Sequence, residues 1–261
     1  VNILCHAPAG GSLRSISGSG VIIDQKGIIL TNAHIAQNFL LKNRDVSCLI
    51  RAGSPATDAY EASLIHIQSA WIQANAKILT EVNPRGTGEY DFAFLSISKS
   101  VTKDKLPSSF PFIPLATSPS NIGTPVVIAS YGAQFLESSQ IQSSLFPTVV
   151  FGSVKNVFTF ASTSVDVLAL GGSAAAQEGS SGGGVSDMKR ELIGTITTST
   201  TEGTTDTRKL DAITASYIRA EYRRETGESL STLLSKSISE AIADFASKMP
   251  ALESILTAQL Q

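Results

Sequence analysis

The chain has 261 residues, of which 42% are hydrophobic and 16% charged, and its net charge is −2. That length and apolar content supply a sizeable core, as one large domain or two small ones. The near-neutral charge argues against a nucleic-acid partner, and no apolar run approaches the roughly 18 residues of a membrane span.

Short apolar runs broken by turn residues fill the first 97 positions: "VNILC", "GVIID", "GIILTN", "VSCLIRAG", "YEASLIHI" and "DFAFLSI". Each has strand length, and most are rich in Val, Ile and Phe. "DQKG" between two of them reads as a hairpin turn. Residues 98–125 are rich in Pro and Ser and form the best internal boundary. A second series follows: "PVVIASYG", "TVVFGSVKNVF", "VDVLALG", "GGVSD", "ELIGTITTS" and "KLDAITASYI". Many short strands without long helices between them predict antiparallel barrels or sandwiches, an all-β class. From Ser229 the texture changes. Leu230, Leu233, Leu234, Ile238, Ile242 and Phe245 fall at helical spacing, Pro250 interrupts, and Leu252, Ile255 and Leu256 resume. This predicts an amphipathic C-terminal helix packed on the body.

Cys5 and Cys48 lie in no CxxC pair and have no histidine cluster beside them, which argues against a metal site. No cofactor is expected. From spacing alone the two cysteines read equally as buried thiols or as one disulfide.

Gly179-Ser180-Ser181-Gly182-Gly183 fits G-x-S-x-G with Ser181 at its centre. The same pattern marks the nucleophile elbow of α/β-hydrolases, whose histidine follows the serine. All three histidines here, His6, His34 and His66, precede Ser181, so that reading is excluded. His34, in "ILTNAHIAQ", follows an apolar strand where the chain turns, whereas His66 sits within a strand-like run and His6 near the chain end. Asp91 opens the apolar "DFAFLSI", and the competing Asp24 and Asp58 sit among turn residues.

Together, "SGSGVIIDQKGIILTNAHIAQ", "DFAFLSI" and "GSSGGGVSDMKRELIGTI" resemble the three blocks of chymotrypsin-fold, trypsin-like serine proteases. They are most similar to the bacterial high-temperature-requirement (Deg-like) peptidases, over residues 1–217. The resemblance implies two six-stranded antiparallel β-barrels of chymotrypsin type. Residues 1–105 would carry His34 and Asp91, residues 106–217 would carry Ser181, and residues 218–261 would form a helical tail. That tail is too short for a PDZ module.

The resemblance makes His34 the general base, Asp91 the carboxylate that orients it and Ser181 the nucleophile, with Gly179 and Ser181 supplying oxyanion-hole amides. It places Ala175, Ala176 and Gln177 on the wall of the primary pocket. Thr197, Thr198 and Ser199 fall on the strand edge that pairs with substrate backbone. The absence of an acidic residue at Ala175 argues against cleavage after Arg or Lys and for small or aliphatic residues. The resemblance also places Cys5 and Cys48 on neighbouring barrel strands, within disulfide range; the family and such a disulfide imply an extracytoplasmic location, and the family implies polypeptide substrates.

The chain also departs from the pattern. Ser180 stands where many trypsins have the aspartate of zymogen activation. Gly184 adds a glycine expected to loosen the serine loop, and residues 68–90 look inserted. The competing expectation is a catalytically silent relative that binds peptides or a partner through the same cleft.

Overall fold

The computed structural model describes residues 1–81, 86–134, 136–160, 164–199, 204 and 207–260, with only the backbone path at 198 and 199. The first series of apolar runs forms β1 (Asn2–His6), β2 (Ile16–Ser19), β3 (Val21–Asp24), β4 (Ile28–Thr31), β5 (Ser47–Ala52), β6 (Thr57–Ile67) and β7 (Ala93–Ser100). Helix α1 (Ala33–Ala36) follows β4, and α2 (Ser69–Asn75) follows β6. The sheet is antiparallel throughout, in the order β2-β1-β5-β6-β7-β4-β3. Its two outer members, β2 and β3, are separated in the chain by Gly20 alone. The sheet therefore closes on itself as a barrel, with one strand bent through that glycine. A Cβ there would stand 2.7 Å from the Ile29 Cγ2 atom, so the bend needs glycine for its close approach.

The second series repeats the device with β8 (Pro125–Ser130), β9 (Thr148–Ser153), β10 (Asn156–Phe158), β11 (Val167–Ala169), β12 (Gly184–Asp187), β13 (Leu192–Ser199) and β14 (Leu210–Thr214). Helix α3 (Ser138–Ser143) lies between β8 and β9. The order is β10-β11-β14-β13-β12-β8-β9, and its outer members flank only Val154 and Lys155. Among the described residues each sheet has seven strands. Counting each bent strand once gives the six expected from the sequence.

The "DQKG" turn is present: Gly27 N donates to Asp24 O at 3.0 Å, with φ +87° at Gly27. The proline-rich linker runs from one barrel to the other. Phe110 N bonds Gln25 O (2.8 Å) on the first, and Ala116 N bonds Leu192 O (2.9 Å) on the second. Cys5 stands directly opposite Cys48 in the β1–β5 ladder, and the two form a disulfide.

The tail differs from the single helix expected. Helical structure begins earlier and is divided into α4 (Ala215–Thr226), α5 (Leu230–Ser235), α6 (Ile238–Ala246) and α7 (Met249–Thr257). Local capping explains the division. Thr214 Oγ1 accepts from Tyr217 N at 3.0 Å and ends β14, and Gly227 stops α4 at φ +76°. Ser229 caps α5, and Ser237 with Glu240 forms a capping box for α6. Pro250 lies in the first turn of α7, where its missing N–H has no bond to lose, so it starts a helix instead of interrupting one. The apolar spacing does face the body: Phe245, Leu252 and Leu256 join the first barrel's core, and Leu230 and Leu233 join the other core. No helix among the described residues is long and apolar enough to cross a membrane.

His66 belongs to this packing. It is 2% exposed, and its ring lies among Phe92, Phe94, Tyr222 and Phe245. Its Nε2 stands 3.5 Å from Glu225 Oε2, a contact that becomes an ion pair only on protonation. Burial, with Lys248 nearby, lowers its pKa to about 3, so the folded protein holds it neutral. The unfolded chain takes up that proton below about pH 6.5, so folding stability falls as pH drops through this window. Between about pH 6 and 4 the wild type is expected to lose about 1.4 kcal/mol per pH unit more than His66→Phe. Urea titrations at several pH values measure this, and equal slopes in the two proteins would refute it.

Candidate active site

β4 and β7 are antiparallel neighbours, with Thr31 opposite Ala93. His34 lies three residues beyond that pair and Asp91 two residues before it, so the ladder brings both to one barrel end. The Asp91 carboxylate is 5% exposed and binds His34 twice, with Oδ2 2.8 Å from the ring Nδ1 and Oδ1 accepting from the backbone N at 3.0 Å. A carboxylate only accepts, so Nδ1 carries the ring proton and Nε2 is left as the acceptor. The alternatives are engaged elsewhere: Asp24 in the hairpin turn, and Asp58 with Arg51.

Several residues that sequence reasoning assigned no part in this pair hold it. Thr197 Oγ1 donates to Asp91 Oδ2 at 2.8 Å, and Asn32 Nδ2 donates to the Asp91 carbonyl at 2.8 Å. Tyr90, next to Asp91, adopts φ +59°, a conformation unfavourable for a bulky residue. Its N–H donates to the Tyr217 hydroxyl at 3.0 Å, and the Arg224 guanidinium stands 5.2 Å from its ring. Helix α4 thus supports the turn that aims the carboxylate.

Ser181 precedes β12 in a tightly clamped loop. Its carbonyl accepts from Ser19 N at 2.8 Å, Gly182 N donates to Ile196 O at 2.9 Å, and Ile196 N donates to Gly183 O at 2.8 Å. Gly182 has φ +83°, and a Cβ there would lie 2.0 Å from Ser19 O and 2.6 Å from Thr31 Oγ1. Only glycine admits this contact between the serine loop and the strand leading to His34. The loop is therefore fixed beside Thr31, which leads to His34, and beside Ile196, whose neighbour Thr197 holds the Asp91 carboxylate. Among the described residues no hydrogen bond joins Ser181 Oγ to His34 Nε2; such contacts often tighten only when substrate binds.

The neighbouring serine differs. Ser180 is fully buried, and its hydroxyl donates to Gln177 O at 2.6 Å. Ser181 is partly exposed.

The Gly179 and Ser181 N–H groups make no hydrogen bond among the described residues. The Glu178 carbonyl accepts from Ala133 N at 2.7 Å. In a trans peptide the N–H points opposite to the carbonyl, so this bond turns the Gly179 N–H away from Ala133. Ser19 Oγ ties the loop further, donating to Gly179 O and accepting from Tyr131 N, each at 2.8 Å.

Gly184 does not loosen the loop. It opens β12, paired with Ala129 and Thr195, and a Cβ on it would lie 2.8 Å from Val21 Cγ2. Close packing between the barrels is its reason.

Ala175 and Ala176 are buried, and Gln177 Nε2 donates to Ala174 O at 2.7 Å. Thr198 and Ser199 continue β13 opposite Asp211 and Leu210, and their side chains lie outside the described residues. Sequence reasoning placed Thr197 on the substrate strand and gave it no part in holding Asp91. It had no signal for Tyr217, whose contact with Tyr90 crosses 127 positions.

Residues 18–194 match the family of the trypsin-like peptidase domain. No curated protein matches the sequence. Among solved structures, the chain is similar to the active form of the Rv3671c protease from M. tuberculosis (17% identity, 84% of this chain and 77% of that one, TM-score 0.51). It is also similar to a Glu endopeptidase in complex with MPD (16% identity, 87% and 90%, TM-score 0.51). A third likeness is the serine endoprotease from Yersinia pestis (19% identity, 87% and 64%, TM-score 0.51). At these identities the likeness is one of fold.

Proposed function

The chain belongs to the family of trypsin-like peptidase domains, serine endopeptidases of the chymotrypsin fold, and from that premise we propose that it hydrolyses peptide bonds with Ser181, His34 and Asp91 through an acyl-enzyme. The observation that carries the proposal is the 2.8 Å contact between Asp91 and His34 Nδ1, which leaves Nε2 as a base.

A serine hydroxyl is a weak nucleophile until a base takes its proton. Ser181 Oγ attacks the scissile carbonyl as His34 Nε2 accepts that proton, and Asp91 stabilises the resulting imidazolium. The Gly179 and Ser181 N–H groups receive the oxyanion, and one such donor contributes about 2.7–4 kcal/mol to the transition state. His34 then protonates the departing amine. Water, deprotonated by the same imidazole, releases the acyl group and restores Ser181.

The proposed substrate is a polypeptide whose backbone pairs along Thr197, Thr198 and Ser199. The units carrying these parts are residues 1–105, residues 106–217 and the tail 218–261. The Cys5–Cys48 disulfide supports an oxidising compartment outside the cytoplasm. The expected cleavage after small or aliphatic residues rests on the buried Ala175 and Ala176, which bring only methyl groups to that wall.

A fluorophosphonate probe is expected to label Ser181, read by mass mapping of the modified peptide. Labelling of Ser180 would show the register to be wrong. A folded protein that takes no label at all would favour a cleft that binds peptides without cutting them.

A further inference from the structure

The β5–β6 hairpin of the first barrel carries a buried guanidinium. Arg51, on β5, is 1% exposed. Within its own barrel, Nη2 donates to Ala56 O at 2.7 Å, Nη1 donates to Asn2 Oδ1 at 3.3 Å, and Nε lies 3.1 Å from Asp58 Oδ1. Two further bonds leave the barrel. Nη1 donates to Ile141 O at 2.8 Å and Nη2 donates to Gln142 O, both carbonyls near the C-terminal end of α3. Such carbonyls have no partner inside the helix, so Arg51 caps it. No residue of α3 is fully buried, so these bonds carry much of its attachment.

The same hairpin holds the chain on either side of α3. The Tyr131 hydroxyl donates to Gly53 O at 2.8 Å, and Ala56 N donates to Leu145 O at 2.7 Å. Ala56 packs with Tyr131, Ala133 and Leu145 in an apolar cluster separate from the two barrel cores. Leu136 N donates to Ala133 O at 3.0 Å, which ties Ala133 to the α3 side. Ala133 N makes the 2.7 Å bond to Glu178 O that directs the Gly179 N–H. The serine loop lies directly on these residues: a Cβ on Gly179, at φ +84°, would stand 2.8 Å from Tyr131 O.

We propose that Arg51 and Tyr131 are positioning residues for peptide cleavage: they anchor Ala133, which holds the Glu178 carbonyl and so keeps the Gly179 N–H aimed at the oxyanion. This rests on the reading of Ser181 as nucleophile and Gly179 as an oxyanion donor. The peptide unit is planar, so its carbonyl and N–H turn together. Half a turn would put the Glu178 oxygen, a partial negative charge, where the donor is needed.

A substrate peptide and an aldehyde of the same sequence test this. Ser181 Oγ adds to the aldehyde carbon and leaves its oxygen on the oxyanion donors. The substrate peptide, bound to a Ser181→Ala background, reports ground-state binding alone. Arg51→Met is expected to lower kcat by about 10- to 100-fold, less than the roughly 10²- to 10³-fold cost of removing a donor. Aldehyde affinity should fall by the same factor, while ground-state peptide Kd stays within about threefold. Arg51→Lys should recover part of the loss. Tyr131→Phe should move kcat and aldehyde affinity the same way by about 3- to 10-fold. A merely structural role would lower the melting temperature and leave both quantities unchanged per folded molecule, and that result overturns the proposal. Equal losses of aldehyde and ground-state peptide affinity overturn it too. If Arg51→Met fails to fold, Arg51→Lys and Tyr131→Phe carry the same comparison. Variants that keep wild-type kcat overturn this proposal alone, whereas a folded wild type that takes neither fluorophosphonate nor aldehyde ends the endopeptidase reading with it.

Discussion

Ser181→Ala is expected to lower kcat for peptide cleavage by about 10⁵- to 10⁶-fold while KM changes little. The substitution removes the attacking oxygen and nothing that binds the ground state, because the Ser181 carbonyl still accepts from Ser19 N and the backbone amides stay in place. Residual activity, on the order of 10³-fold over water, would come from those amides and from substrate positioning. Ser180→Ala provides the contrast. It deletes a buried 2.6 Å bond to Gln177 O and so acts on loop stability, by about 1–3 kcal/mol. Steady-state kinetics on both variants decide the matter. Abolished turnover in Ser180→Ala alongside an active Ser181→Ala would reverse the assignment.

The second large effect is expected at Asp91. Asp91→Asn should lower kcat by about 10⁴-fold without unfolding the protein. Three groups now donate to this carboxylate: His34 N, His34 Nδ1 and Thr197 Oγ1. An amide has one acceptor oxygen, and the backbone N–H and the threonine hydroxyl compete for it. The amide nitrogen then faces the imidazole and donates, so the ring proton moves to Nε2, which can no longer accept from Ser181. Thr197→Val removes one neutral donor and leaves the tautomer intact, so its effect should be far smaller. Kinetics with a thermal melt of each variant check this. An Asp91→Asn protein within tenfold of wild type would remove Asp91 from the mechanism.

Much of the architecture can be read from patterns local to the chain. Apolar runs of strand length became strands, the proline-rich linker became the passage between barrels, and Cys5 met Cys48. The order of histidine, aspartate and serine excluded the hydrolase elbow before any geometry was known. The tail was harder to read. Its apolar spacing is helical throughout, and the breaks depend on the caps Thr214, Ser229 and Ser237, whose effect is local and small beside the periodic signal. Gly184 also misled, because a glycine that permits close packing and one that permits looseness are the same letter.

The sequence by itself determined the repertoire: strand-forming runs, a turn of glycines around a serine, an imidazole and a carboxylate each at a strand end. Local composition suffices for these, since periodicity, turn chemistry and residue order act over a few positions. Tertiary structure alone decided how they meet. The β4–β7 register set His34 against Asp91, Gly182 could lie on Ser19 and Thr31 only once the barrels packed, and Tyr217 reached Tyr90 through a helix folded back from the tail. The same packing carried Arg51 to the Ile141 and Gln142 carbonyls. Each of these contacts joins residues distant in sequence, and its energy comes from burial and fixed geometry that exist only after the chain has closed.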